Sequence, residues 1–528
     1  MEAVLVTIAI ATAVICSNLN YLSGVWATPS SSIYLGTVHW AGDYFYYLSQ
    51  FAQGRDGLFL SYDLFTGDFP YKTAVGWVNV FMGRAAYITG INHVWAYQIA
   101  VFIFSTLFLL FSYLLIREIF KGKDSRNSQL RITAFILFIL SNTIPKIISV
   151  NGMWTVTFFD YWFNNGLPFN RLANVPHQLI AKAIVSLILL LAIVWYRGYS
   201  KRRLALYLAL FLMCGLVLAS TEPVHFAIVT LVMLLVPLLF YRKNYVMFIP
   251  LIFFAGGGLP ATLYIKKLFT DLPYSQLAAW ELTQSIKPDI LNFVLSNGIL
   301  MVIAIIGALQ FYKKGSVQNF TIVIFCFLTI VLFLSPVPSL LGIVNVRFMP
   351  AATTIFIACI AANTVWEFAK KAGKRSGRVY WGIIALIIII NVLPLPTQLK
   401  NKVKADRSNA YFYVDKKVYD TFEKAAHISS MGDQFLVVWP FNTPFPGVAG
   451  RHSFNGHPLL TINSSLKDKT SSDFFYDKMN KEEMDKFVIL NNIDFVIAYG
   501  FMQRIKNMDI LENVYDNGML SIYKVKKA

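Results

Sequence analysis

Gly42-Asp43-Tyr44-Phe45-Tyr46-Tyr47, running on to Gln53-Gly54-Arg55-Asp56-Gly57, is the stretch on which the reading of this chain turns. It follows His39 and Trp40, a short way past an apolar run over residues 3–23. A carboxylate flanked by aromatic rings, placed where a chain has just crossed a bilayer, points to chemistry at a membrane surface. At helical spacing Phe45, Leu48 and Phe51 fall on one face and Asp43, Ser49 and Gln50 on another. A helix over 43–53 is therefore expected to lie along the interface, one face to lipid and one to water, with Gly54 and Gly57 turning the chain after it.

Outward from this segment, composition sets the class. The chain has 528 residues, 56% of them hydrophobic and 14% charged, with a mean hydropathy of +0.55. That is too apolar for a soluble globular protein and describes a polytopic α-helical membrane protein. Apolar runs long enough to cross a bilayer, about eleven of them, fall near 3–23, 93–116, 131–150, 177–196, 203–220, 223–241, 245–265, 291–312, 319–340, 347–369 and 379–396.

The net charge of +18 is distributed as a topology signal and does not describe a nucleic-acid surface. Lys and Arg gather in alternate short loops: Arg117 to Arg131, Arg197 to Arg203, Arg242 and Lys243, Lys313 and Lys314, and Lys370 to Arg378. Under the positive-inside bias these are cytoplasmic turns. The amino terminus is then cytoplasmic, and 24–92, 151–176, 266–290, 341–346 and everything after 396 face outward. The first run lacks a basic n-region and is long, so it is expected to be a retained helix and not a cleaved signal. Cys16, Cys214, Cys326 and Cys359 all lie in apolar runs, show no metal spacing and read as packing residues.

The expected domains are a membrane part, 1–396, with its long first outer loop 24–92, and an extracytoplasmic α/β domain, 397–528. Pro394 and Pro396 end the last span. In the tail, 434–439, 495–499 and 519–525 read as strands, and 473–490 carries helical spacings.

Several residues on the outward side can carry chemistry. Among its carboxylates, which include Asp56, Asp63, Asp68, Asp160, Asp271, Glu281 and Asp289, two stand out by position. Asp43 opens the interfacial helix and is read either as an N-cap or as a carboxylate that carries chemistry. Glu222 sits in the short turn Ser220-Thr221-Glu222-Pro223-Val224-His225, either as a water-exposed cap or as a functional acid at membrane depth. Arg347 stands at the outer end of a span, against the charge bias, and is read as held by an anion or as snorkelling to headgroups. Arg171 and His177 close the second outer loop, and Arg451 and His457 lie in the tail segment Gly450 to Pro458; all four are substrate-binding candidates. His39, His177 and His225 share the outward side without the spacing of a metal site.

The run from Gly42 to Leu60 after a first span, the Arg347 entry, and the segment Gly450 to Lys469 with a strand near 493–499 resemble bacterial membrane glycosyltransferases of the GT-C superfamily, in a subgroup whose substrate is not settled. The resemblance implies that Asp43 acts on the acceptor and that the sugar comes from a polyprenyl-phosphate carrier. Asp43 is then the general base toward an acceptor hydroxyl, and Arg347 meets the departing phosphate. Some members pair acids around a metal. No second acid stands beside Asp43, so the cofactor is left unknown, with Glu222 or Asp160 as the other acids available.

The expected function is transfer of a hexosyl or pentosyl unit to a lipid or glycan acceptor at the outer face of the cell membrane, with no nucleic acid involved. A lipid-linked glycan flippase and a glycan polymerase or ligase are the alternatives. A flippase needs polar residues through the middle of several spans, and few are present.

Overall fold

The computed structural model describes the whole chain apart from residues 37–39, 70, 151, 159–165, 288, 314, 408, 477 and 527–528; His39 and Asp160 lie outside the described residues. Among the described residues, nine helices are long and apolar enough to cross a membrane, and ten if the bent pair Glu2–Ser17 and Leu19–Trp26 forms one span. The protein is a multi-pass membrane protein with a mixed α/β C-terminal domain.

Two departures from the hydropathy reading have local causes. The first run breaks at Asn18, whose side-chain amide donates to the Val14 carbonyl at 2.8 Å and competes with the helical ladder. The run over 131–150 is not one span. Its helix, Ser125–Leu140, stops short, and Pro145–Val150 turns back against Met153–Phe158 as an antiparallel hairpin. Pro145 disfavours helix at the preceding residue. The carbonyls of Phe138, Ile139 and Ser141, which a longer helix would use, are taken at 2.8, 3.1 and 2.9 Å by the Arg171 guanidinium.

The chain folds into two compact units that do not follow sequence order. The first comprises Met1–Leu19, Val101–Lys266 and Glu281–Asn401. At its centre is the helix Ala352–Lys370, the most buried of the candidate spans. Small residues along it, among them Ala358, Ala361 and Ala362, let neighbouring backbones come close. A side chain at Gly307 of the helix Ile290–Lys313 would collide with Thr364, so that crossing needs glycine.

The second unit comprises Asn20–Ala100, Lys267–Trp280 and Lys402–Ala528, so residues of the first loop fold with the tail. Ser32–Tyr34 pairs antiparallel with Tyr413–Asp415. The main sheet runs His452–Ser453, Gln434–Val437, Phe495–Tyr499, Leu520–Val525, Leu511–Asp516; the first three are parallel and the last two antiparallel. The strands expected at 434–439, 495–499 and 519–525 are present, and the helical spacings of 473–490 resolve into Ser464–Phe475 and Lys481–Leu490.

The helix expected at 43–53 spans Ala41–Arg55, but it does not lie between lipid and water. Phe45, Leu48 and Phe51 are buried, and so are Ser49 and Gln50 of the supposed water face, while Asp43 keeps part of its exposure. The reason is a close crossing with the helix Trp77–Thr89. A Cβ on Gly54 would meet the Val80 carbonyl at 2.0 Å, and one on Gly83 the Phe51 carbonyl at 2.1 Å. The polar face is satisfied inside the unit: Gln50 accepts from Asn79 at 2.8 Å, and Ser49 donates to the Tyr46 carbonyl at 2.7 Å.

Candidate functional site

The charged residues singled out in the sequence fall into two clusters, one in each unit. In the second unit Asp43 occupies the first turn of Ala41–Arg55. The N-cap is Trp40 and no side chain makes a capping bond, so Asp43 is not tied up as a cap. Its side chain keeps 29% of its exposure, while Oδ1 lies 3.6 Å from Nε2 of His457, a ring with no exposure at all. Trp40 and Phe65 pack edge-on to that ring with centroids 5.4 Å away, and Tyr46 at 6.4 Å. Gly42 leaves little spare room here: a Cβ would sit tightly against Trp40 and His457, at 3.2 and 3.3 Å.

The segment bearing His457 is stitched to the first loop. Ser453 N–H donates to the Leu64 carbonyl at 2.8 Å, Thr461 Oγ1 to the Phe65 carbonyl at 2.8 Å, and the His452 ring meets the Thr66 carbonyl at 3.1 Å. Lys467 pairs with Asp68 at 2.6 Å. Asp63 is fully buried beside these contacts. Burial pushes its carboxyl up to about 7, against the opposing pull of the Phe65 N–H and the Lys467 charge.

Arg451, expected to bind substrate, is instead a buried clamp. It donates to Asp56 at 2.6 Å, to the Ala426 carbonyl at 2.5 Å and to Ser429 Oγ at 3.1 Å. Arg55 meets Asp56 and Glu423 at 2.9 and 3.3 Å, so Asp56 serves two arginines.

In the helical unit Glu222 joins Leu204–Thr221 to Pro223–Phe240, at the ends opposite the basic turns. It is buried, so the water-exposed reading fails. Its Oε2 lies 3.2 Å from Nη1 of Arg347, whose Nε donates to Glu281. Arg347 sits in the short turn Asn345–Phe348 that leads into the central helix. Burial opposes ionisation of Glu222, but Arg347, His225, His177 and Lys182 outweigh it and hold the carboxyl below the usual range. Arg171 is wholly buried with its guanidinium on backbone carbonyls, which makes it a helix-end clamp rather than an open ligand.

The sequence marks Glu281 only as one acid among many and does not bring Lys182 forward. Lys182, buried and donating to the Arg171 carbonyl at 3.1 Å, carries a readable signal as a lone charge within an apolar run. The pairing of Glu281 with Arg347 has no local signal. Among the described residues no group of three His, Cys, Asp or Glu side chains is placed to hold a metal ion.

The fold of this chain is similar to those of an archaeal oligosaccharyltransferase, a mycobacterial arabinofuranosyltransferase and ArnT. The oligosaccharyltransferase of Archaeoglobus fulgidus, solved with a tethered acceptor peptide, superposes with a TM-score of 0.54 at 14% identity, over 100% of this chain and 74% of its own. The mycobacterial arabinofuranosyltransferase AftD gives 0.53 at 14% identity, over 98% of this chain and 40% of AftD. ArnT of Cupriavidus metallidurans bound to undecaprenyl phosphate gives 0.50 at 11% identity, over 98% and 97%. No family model and no curated protein matches the sequence.

Proposed function

We propose that this protein transfers a sugar from a polyprenyl-phosphate carrier to an acceptor hydroxyl on the extracytoplasmic side of the membrane. The observation that carries the reading is Asp43, a partly exposed carboxylate in the first turn of a buried helix and free of any capping bond. The acceptor oxygen forms a bond to the anomeric carbon as the carbon–oxygen bond to phosphate breaks. Asp43 takes the hydroxyl proton, and polyprenyl phosphate leaves with the bonding pair.

Three further points support the reading. The basic turns mark the cytoplasmic side, and sugar nucleotides are not available beyond the membrane, so an outward transferase needs a lipid-borne donor. Two of the similar structures hold polyprenyl phosphates, dolichol phosphate in one and undecaprenyl phosphate in the other. The helical unit has a cavity of about 540 Å³ lined by apolar side chains such as Leu5, Ile8, Ile136, Phe169, Val392 and Leu395, a chemistry suited to an isoprenoid chain.

The test is transfer of labelled sugar by the purified protein from a panel of polyprenyl-phosphate donors, with Asp43→Asn beside the unaltered chain. Transfer lost in the variant is expected. Full activity in the variant removes Asp43 from the mechanism, and movement of a lipid-linked glycan across vesicles without transfer replaces the reading with a flippase.

A further inference from the structure

We propose that His457 is the positioning residue of Asp43: a neutral imidazole, locked in one tautomer, whose Nε2–H is aimed at the carboxylate and orients it. The assignment rests on the transferase reading for its consequence in catalysis, but the pairing itself stands on geometry.

The tautomer follows from the backbone. Nδ1 of His457 accepts from the amides of both Leu459 and Leu460, at 3.1 and 3.2 Å. A ring nitrogen that receives two N–H groups presents its lone pair, so the proton of the neutral ring sits on Nε2. A proton on Nδ1 would confront both amide hydrogens. Nε2 is buried, has no hydrogen-bond partner among the described residues, and faces Oδ1 of Asp43 at 3.6 Å. That is just beyond bonding range, as contacts of this type often are before substrate draws them together.

The ring cannot turn away. Trp40, Tyr46 and Phe65 enclose it, and the His457 N–H and the Phe65 carbonyl are joined through Thr461 Oγ1 at 3.2 and 2.8 Å. A fixed neutral donor holds Oδ1 without neutralising the carboxylate, which leaves Oδ2 to receive the acceptor proton. A cation in its place would pair with Asp43 and weaken it as a base. Glycine at position 42 leaves the ring room, since a Cβ there would come within 3.3 Å of His457 Cδ2.

Two substitutions separate orientation from folding. His457→Asn keeps an acceptor near the Nδ1 position for the two amides but has no donor at Nε2, while His457→Gln can place an N–H near Nε2. The expectation is a fall in kcat of roughly 10- to 100-fold for the Asn variant, with KM within about twofold, and partial recovery in the Gln variant. Equal losses in both variants, or a change confined to KM, would overturn the positioning role.

A second measurement does not depend on turnover. Thermal unfolding of Asp43→Asn, His457→Asn and the double variant forms a cycle. If the groups are paired, the Tm change from His457→Asn in the unaltered chain differs from the change it causes in the Asp43→Asn chain. An additive cycle overturns the pairing. A non-additive cycle in a protein that transfers no sugar from any donor upholds the pairing and rejects the transferase reading.

Discussion

The two charged clusters treat their acids in opposite ways. In the helical unit Glu222 faces a guanidinium that a second acid, Glu281, also holds, so charge is met by charge. In the second unit Asp43 faces an uncharged ring and keeps part of its surface open. A buried ion pair is expensive to break but adds little reactivity, since each partner is committed to the other. A carboxylate held from one side by a neutral donor remains able to take a proton. Under the proposed function, the contrast gives the first cluster the holding of Arg347 and the second the proton transfer.

The strongest way to break this comparison is Asp43→Asn. It should lower the transfer rate about 10²- to 10⁴-fold while shifting Tm little, as read by labelled-sugar transfer and thermal unfolding. If Glu222→Gln causes the larger rate loss, the two clusters have been given each other's roles.

Arg347→Met should act mainly through stability. It leaves Glu222 and Glu281 facing each other, and removing one partner of a buried pair costs about 3–5 kcal/mol. With Arg347 27% exposed, solvent screening places the effect toward or below the lower end. Adding Glu222→Gln and Glu281→Gln to Arg347→Met should recover much of the lost stability in denaturant unfolding.

Asp63 gives the comparison a pH axis. Its folded-state carboxyl titrates near 7 rather than at its ordinary 3.8. The protonated form therefore favours the fold fully below the ordinary value, and that contribution is lost as pH rises through about 7. Asp63→Asn should be more stable than the unaltered chain at pH 8, by on the order of a few kcal/mol, and should flatten the Tm profile between pH 4 and 8. A profile unchanged by the substitution would remove Asp63 as its source.

The smallest effect is expected from Arg451→Lys. A lysine cannot reproduce the fork that reaches Asp56, Ala426 and Ser429 together. Stability should fall by about 1–2 kcal/mol with KM unaltered. A raised KM at unchanged Tm would return Arg451 to the substrate.

Much of this architecture was legible in the chain because its signals are local. Apolar runs mark the spans, the spacing of aromatics marks the Asp43 helix, and short β-rich runs mark the strands at 434, 495 and 520. The environment of that helix was not legible. Its moderate amphipathicity suits an interface, but Gly54 and Gly83 bring a second helix across it and bury the polar face. The end of Ser125–Leu140 was equally hidden, because the arginine that takes its last carbonyls arrives from about 30 residues away.

What the sequence determined by itself was a polytopic membrane protein with its basic turns on one side, because hydropathy and charge bias are sums over neighbouring residues. What only the tertiary structure decided was which groups meet. Arg347 and its two acids are separated by 66 and 125 residues in the chain, and His457 reaches Asp43 from the far end of the sequence. Such partners are chosen by packing and by backbone amides that fix a tautomer, and no periodicity along the chain records them.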